Sequence, residues 1–195
     1  MLRFLLLLLF APSLLSAQLE QHLNEKIGLA EDLNSKELRV YKVSDITNYV
    51  SLFRLYQNEE QIWKAVNYEC HFIHEDDGGD DFRHIELPSS KELNYVWLEI
   101  LNSDVLYLPK ESVFRYKLKR KARIENVEGK YERVIRETAI LDGSHYLIQV
   151  RDGEKENSFE YDNPETYHKY YPDVDELQSF ITLKKILKKR FAIAL

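Results

Sequence analysis

From Leu38 onward, the hydrophobic pattern of this 195-residue chain repeats every second residue. Leu38–Val43, Asn48–Tyr56 and Ile62–Ile73 are dense in Val, Ile, Phe, Trp and Tyr, and polar breaks at Ser44–Thr47 and Gln57–Gln61 separate them. Successive side chains on a strand point to opposite faces, so runs of this kind predict antiparallel strands. Within Asn48–Tyr56, Ser51, Phe53 and Leu55 share one face and Val50, Leu52 and Arg54 the other, and neither face is wholly polar. Further strands are expected at Phe114–Ile124, Tyr131–Leu141, Tyr146–Arg151 and Ser158–Tyr161. Asp142-Gly143 and Asp152-Gly153 read as hairpin turns, because tight primed turns need positive φ. The second would set Arg151 opposite Glu154 and Tyr146 opposite Phe159.

Two stretches change to helical spacing. After Pro88, Ser89 and Glu92 form an S-x-x-E capping box, followed by Leu93, Val96, Trp97, Ile100 and Leu101 on one stripe. Near the end, Asp173 and Glu176 offer a cap, and Val174, Leu177, Phe180, Ile181, Leu187 and Phe191 face inward. Lys184, Lys185, Lys188, Lys189 and Arg190 crowd the last turns, where cations suit the helix dipole. The predicted fold is α+β: a mainly antiparallel sheet with two helices, about 89–106 and 173–191, packed on one face.

The first seventeen residues have a different character. Arg3 precedes the apolar block Phe4–Phe10, and Ala11, Ser13, Ser16 and Ala17 follow, the three-part layout of a secretory signal peptide cut after Ala17. The block is much shorter than the roughly 20 residues that span a bilayer as a helix, so no stable membrane anchor is expected. Residues 18–36 then read as a leader or linker, where Leu19, Leu23, Ile27 and Ala30 at helical spacing fit a short helix or a loose linker equally, and 37–195 as a single α+β domain. Cys70 is the one cysteine, which excludes an intramolecular disulfide. A net charge of −6 argues against general affinity for polyanions such as nucleic acid.

Four features invite a chemical reading. His74-Glu75-Asp76-Asp77-Gly78-Gly79-Asp80-Asp81 is an acidic stretch; with Gly78-Gly79 as a two-residue turn, Phe72 would face Ile85 and Cys70 would face Leu87. Asp77 would then oppose Asp80 and Asp76 would oppose Asp81, a repulsion that calcium or plain solvation relieves. His71, His74 and His84 suggest zinc, although residues three apart on a strand point to opposite faces. Residues 110–136 hold ten basic and four acidic residues. As a strand they would set Arg115, Lys117, Lys119, Lys121 and Arg123 on one face, either a half-buried edge strand or a polyanion-binding stripe. Tyr161, Tyr167, Tyr170 and Tyr171 gather around Asn163-Pro164 and Pro172, where they seal a core end or grip a sugar or partner chain. No G-x-S-x-G, H-E-x-x-H, paired C-x-x-C or phosphate-cradling glycine loop is present, so no catalytic, cofactor or metal residue is assigned.

The runs Leu141-Asp142-Gly143-Ser144-His145-Tyr146, Tyr161-Asp162-Asn163-Pro164-Glu165-Thr166-Tyr167 and Tyr171-Pro172-Asp173-Val174-Asp175-Glu176-Leu177 carry a D-G-x-x-Y, N-P-x-x-Y, Y-P-x-x-x-E-L layout. Across about 38–192 the chain resembles small exported bacterial proteins of uncharacterised function with that layout. The resemblance implies a bacterial envelope setting and no particular chemistry. The expectation is a secreted or periplasmic binding or interaction domain rather than an enzyme, its partner a protein or glycan of the cell envelope. The alternative is a calcium- or zinc-dependent module or enzyme centred on residues 71–84.

Overall fold

A computed structural model describes residues 11–44, 47–72, 80–119, 122–134, 140 and 143–193, with side chains from residue 18 onward. Six strands form one sheet: β1 (Lys36–Ser44), β2 (Tyr49–Gln57), β3 (Trp63–His71), β4 (Asp81–Glu86), β7 (Ser144–Asp152) and β8 (Lys155–Asp162). Their spatial order is β4-β3-β2-β1-β7-β8, and each neighbouring pair is antiparallel. A separate ribbon pairs β5 (Arg123–Val127) with β6 (Lys130–Val134) through a turn at Glu128-Gly129, both residues at positive φ.

Helices cover both faces of the sheet, where the sequence predicted two helices on one. The described helices are α1 (Ala11–Ile27), α2 (Leu93–Leu101), α3 (Glu111–Phe114), α4 (Pro164–Tyr170) and α5 (Asp175–Phe191). On the first face, Leu38, Val40, Phe53, Leu55, Ile148, Val150, Phe159 and Tyr161 pack against Val96, Trp97 and Ile100 of α2 and Leu177, Phe180, Leu183, Leu187 and Phe191 of α5. On the second, Tyr41, Val43, Val50, Leu52 and Cys70 lie under Leu23 of α1. β1 is therefore buried on both sides, and a surface helix in the predicted leader supplies the second cover.

Other local expectations are corrected. The S-x-x-E box does not form: α2 begins at Leu93, its cap residue Glu92 makes no side-chain bond, and the Ser89 hydroxyl accepts from the Lys91 N–H. Residues 88–91 dock instead on the end of α5, with the Ser90 N–H donating to the Arg190 carbonyl. α5 likewise starts without a side-chain cap, and its Arg190 is buried against Glu99 at 2.5–2.6 Å. The strand expected at 114–124 is overturned: Phe114 ends α3, Arg115–Lys117 form a 3-10 turn, and among the described residues the strand begins at Arg123. Helical spacing brings Phe114 and Leu118 into the core and leaves Tyr116 between them exposed, whereas a strand would put all three on one face.

Registers shift as well. The β7–β8 loop is Gly153-Glu154, so Arg151 meets Glu156 and Tyr146 meets Tyr161. Gly153 takes the positive φ at the first loop position. On β3–β4, Cys70 pairs with Phe82, an odd shift from the Cys70–Leu87 expectation, and such a shift exchanges faces. The Gly78-Gly79 turn itself lies outside the described residues.

The second face also holds a buried ion cluster. The Glu37 carboxylate is fully buried and accepts from Arg39 Nε (2.6 Å), Arg54 Nε (2.7 Å), Arg54 Nη2 (3.2 Å) and the Asn34 N–H (2.9 Å). Arg39 donates onward to the carbonyls of Glu31 and Asp32, and Arg54 stacks 3.8 Å over the Tyr56 ring. Burial pushes the Glu37 carboxyl up, but these donors together hold it below the ordinary carboxylate value.

Two outcomes follow from this packing. Glu37→Gln leaves two guanidinium groups uncompensated and should cost about 3–5 kcal/mol in urea unfolding. Because the folded Glu37 value is depressed, its contribution is present above pH 4.5 and lost as pH falls further, so the acid limb of the parent's stability should be steeper than the variant's. Gly143→Ala places a Cβ 1.3 Å from Asn163 Oδ1, and the enforced shift should lower stability by about 1–3 kcal/mol, read by thermal melting.

Candidate functional site

The three sequence runs that carry the resemblance meet at one end of the first face. Asn163, in the left-handed region at φ 50°, precedes Pro164 at the start of α4, and its Oδ1 accepts from the Ser144 N–H at 2.9 Å. Gly143 is small because Asn163 lies against it; Asp142 lies outside the described residues, and β7 pairs with β1 and β8 rather than with β6. This junction sets Glu165 of α4 beside Tyr146 of β7. The Tyr146 hydroxyl donates to Glu165 Oε1 at 2.7 Å and accepts from Lys184 Nζ of α5 at 2.7 Å, while Lys184 also contacts Glu165.

Lys184 is mostly buried, its ammonium 4.7 Å over the Tyr146 ring. Burial, with Lys42 and Lys188 beside it, pulls its pKa down to about 7, and the adjoining Glu165 carboxylate works in the opposite direction. Lys42 lies across from Tyr146 on β1, 6.0 Å over the same ring, and burial lowers its pKa too. Among the described residues Lys42 has no carboxylate in ion-pair range.

The polar row continues across the sheet. Lys42 on β1 pairs with Ser51 on β2, and Ser51 pairs with Glu69 on β3. Ser51 and Glu69, with Asn67, form the floor of a cavity of about 270 Å³. Ile85, Leu87, Phe191 and Ile193 supply its apolar walls. Asn67 Nδ2 donates to Glu69 Oε1 at 3.0 Å, and Ser51 and Asn67 are themselves buried. Side chains that alternation assigns to the core thus read as cation, hydroxyl and carboxylate in sequence across three strands.

The residues singled out from the sequence fall elsewhere. His71 stacks on Tyr49 and His84 on Tyr68, and these partners occupy opposite faces of the sheet. Asp80 pairs with Lys26 at 2.7 Å and Asp81 with Arg83 at 3.5 Å. His74, Asp76 and Asp77 lie outside the described residues, and among those described no group of three His, Cys, Asp or Glu side chains is placed to hold a metal ion. The basic stripe is dispersed: Arg115 lies near Glu111, Lys117 binds Glu176 at 2.7 Å, and Lys121 lies outside the described residues. Tyr161 is buried, Tyr167 and Tyr171 stack at 6.4 Å against the core, and Tyr170 stands exposed.

Lys42 and Ser51 carry a signal in the sequence, whereas Glu165 and Lys184, on helices, carry none of this kind. Lys42 shares alternation with Leu38 and Val40, and Ser51 with Phe53 and Leu55; a polar residue on the apolar phase of a strand marks a site or an edge. No protein-family model, curated protein or solved structure matches this chain.

Lys42→Met keeps the stem and removes an unpaired ammonium. It should raise the melting temperature by about 2–4 °C at pH 7 and give no gain above about pH 10, where the lysine is itself neutral.

Proposed function

We propose that the chain is an exported, non-catalytic binding domain and that the corner cavity seats its ligand. The ligand that fits best is a small zwitterion with an apolar side group, the size of an apolar amino acid. One observation carries this reading: Ser51 and Glu69 line a cavity walled by Ile85, Leu87, Phe191 and Ile193, and Lys42 stands next to Ser51 in register on β1, just outside the lining. Such a row matches an anionic group, a hydrogen-bonding centre and a cationic group, while the walls match a short hydrocarbon. Keeping a half-buried lysine without an ion-pair partner is costly to the fold, as expected where a ligand completes the pairing.

Export is supported by the Arg3, Phe4–Phe10 and Ala17 layout and by the resemblance to exported bacterial proteins. A cut after Ala17 falls within α1 and leaves Leu19, Leu23 and Ile27, which pack on the sheet. Among the described residues no helix is long and apolar enough to cross a membrane. In place of the partner class expected from the sequence, a protein or glycan of the envelope, this cavity favours a small ligand carrying both charges.

Titration calorimetry with leucine, phenylalanine, leucinamide and N-acetyl-leucine tests the reading. Binding of the free amino acids should be saturable, and weaker by tenfold or more when either charge is capped or when Lys42→Met or Glu69→Gln is introduced, matching 1.4 kcal/mol or more for each lost charged contact. Equal heats from all four compounds, or none, would sink the proposal.

A further inference from the structure

Helix α1 lies on the second face, remote from the cavity, and its attachment is unusual in one respect. Leu23 is its fully buried anchor, over Tyr41, Val43, Val50, Leu52 and Cys70. At one end Lys26 pairs with Asp80, and His22 lies edge-on to Phe72 at 4.8 Å. In the middle the Tyr41 hydroxyl donates to Asn24 Oδ1 at 3.0 Å. Toward the other end, the α1 residue Glu20 is carried into the sheet, 8% exposed, and its Oε1 is buried without a hydrogen-bond partner. An ionised carboxylate left in that state is strongly disfavoured; a protonated one is not.

The groups facing Glu20 are few. His145 Nε2 of β7 lies 4.0 Å away, and His145 Nδ1 is bonded to Asp162 Oδ1 of β8 at 2.8 Å. Glu160 on β8 adds negative charge, and Tyr41 on β1 lies within electrostatic range. Behind Asp162, its N–H donates to Glu111 Oε2 at 2.8 Å, with Arg115 4.0 Å from the same carboxylate. Three carboxylates thus surround one imidazole, and a proton held anywhere between Glu20 and His145 relieves the crowding.

The hinge for movement is already built. α1 ends at Ile27, Gly28 turns at φ 61° with open space around it, and from Glu31 the chain is fastened by Arg39 to the Glu31 and Asp32 carbonyls. The helix can therefore lift about residues 28–30 while the Glu37 cluster stays closed.

We propose that α1 is a proton-controlled cover, docked while Glu20 and His145 hold protons and lifting from the apolar strip of Tyr41, Val43, Val50, Leu52 and Cys70 as they are lost. Burial raises Glu20 from 4.5 to about 7, offset in part by His145 and reinforced by Glu160. Burial lowers His145, but its bond to Asp162 and the charges of Asp162, Glu20 and Glu160 raise it overall. Glu20 is raised by its burial in the docked helix, so its proton stabilises docking at low pH and that effect is lost as pH rises through about 7. The Glu20 charge raises His145 in the same sense, while the larger Asp162 contribution belongs to the sheet and persists when the helix lifts. Asp162, held low by its His145 hydrogen bond, acts in the opposite sense only at strongly acid pH.

Cys70 is the built-in reporter, the one cysteine of the chain and fully buried beneath the helix. The test follows iodoacetamide labelling of the purified protein from pH 5.5 to 8.0, each rate divided by that of the urea-unfolded protein at the same pH to cancel thiol ionisation. The normalised rate should rise on the order of tenfold across the range, because a 2.5-unit shift changes the docking constant at least that much. Glu20→Gln, neutral throughout, should label slowly with a flattened profile, and Leu23→Ala should label fast at every pH. Fluorescence of the two tryptophans, Trp97 in the first core and Trp63 packed against it, should stay constant over the same range. A flat parent profile, an unchanged rise in Glu20→Gln, or a fluorescence change that tracks the labelling would each overturn the proposal.

Discussion

The Glu37 carboxylate is the constraint on which the second half of the fold rests. A six-stranded antiparallel sheet can leave one face to water, and then β1 would carry polar residues on every second position. Here β1 instead buries Glu37 and Arg39 among apolar neighbours, which is tolerable only because every lone pair of the carboxylate is used. The donors come from β1 itself, from β2 and from the backbone of the connecting segment, so one charge joins three pieces of chain. Pairing in register between Arg39 and Arg54, like charges directly opposite, becomes acceptable once a carboxylate lies between them.

That closure frees the first face to do something other than hold the fold. With α2 and α5 packed over Leu38, Val40, Phe53 and Leu55, the core is complete well before the end of the strands. At that end Lys42, Ser51, Asn67 and Glu69 occupy positions that alternation would give to apolar side chains, and Glu165, Tyr146 and Lys184 are brought alongside by the Asn163–Gly143 contact. The departure from patterning is concentrated in one corner rather than scattered, which is how a binding site differs from a poorly packed core.

The strands were legible because a period of two over nine residues has few competing explanations: β1, β2 and β3 fall within one or two residues of the runs read from Leu38, Asn48 and Ile62. Residues 114–118 were misread because basic and apolar residues alternate there, while the turn that buries Phe114 and Leu118 but leaves Tyr116 outside comes from packing the sequence does not display. The caps failed for a related reason. Ser89 and Asp173 have suitable chemistry, yet the chain before α2 is fastened to the α5 carbonyls and α5 starts two residues later than Asp173. Gly143 was read as a turn glycine when its smallness serves a contact twenty residues away. The leader stays open between a short helix and a loose linker in the sequence: its narrow stripe of Leu19, Leu23 and Ile27 is weak as periodicity, and only the apolar strip of the sheet beneath it explains why it packs.

Glu20 and Glu37 lie under one face of the same sheet, seventeen residues apart, and the contrast between them sets how the covering segment behaves. Glu37 has two guanidinium groups and a backbone N–H, and its environment favours the charge. Glu20 has an imidazole at 4.0 Å and an oxygen with no donor, and its environment opposes the charge. Between them Gly28 breaks the helix with nothing packed against it. One end of the covering segment is therefore fixed by a satisfied buried ion, while the helix is held by apolar contact, the Lys26–Asp80 pair, the Tyr41–Asn24 hydrogen bond and a proton. An element attached in that way has a low-energy route to local opening that leaves the core intact, because the groups that would be exposed are the ones not bound by a saturated network.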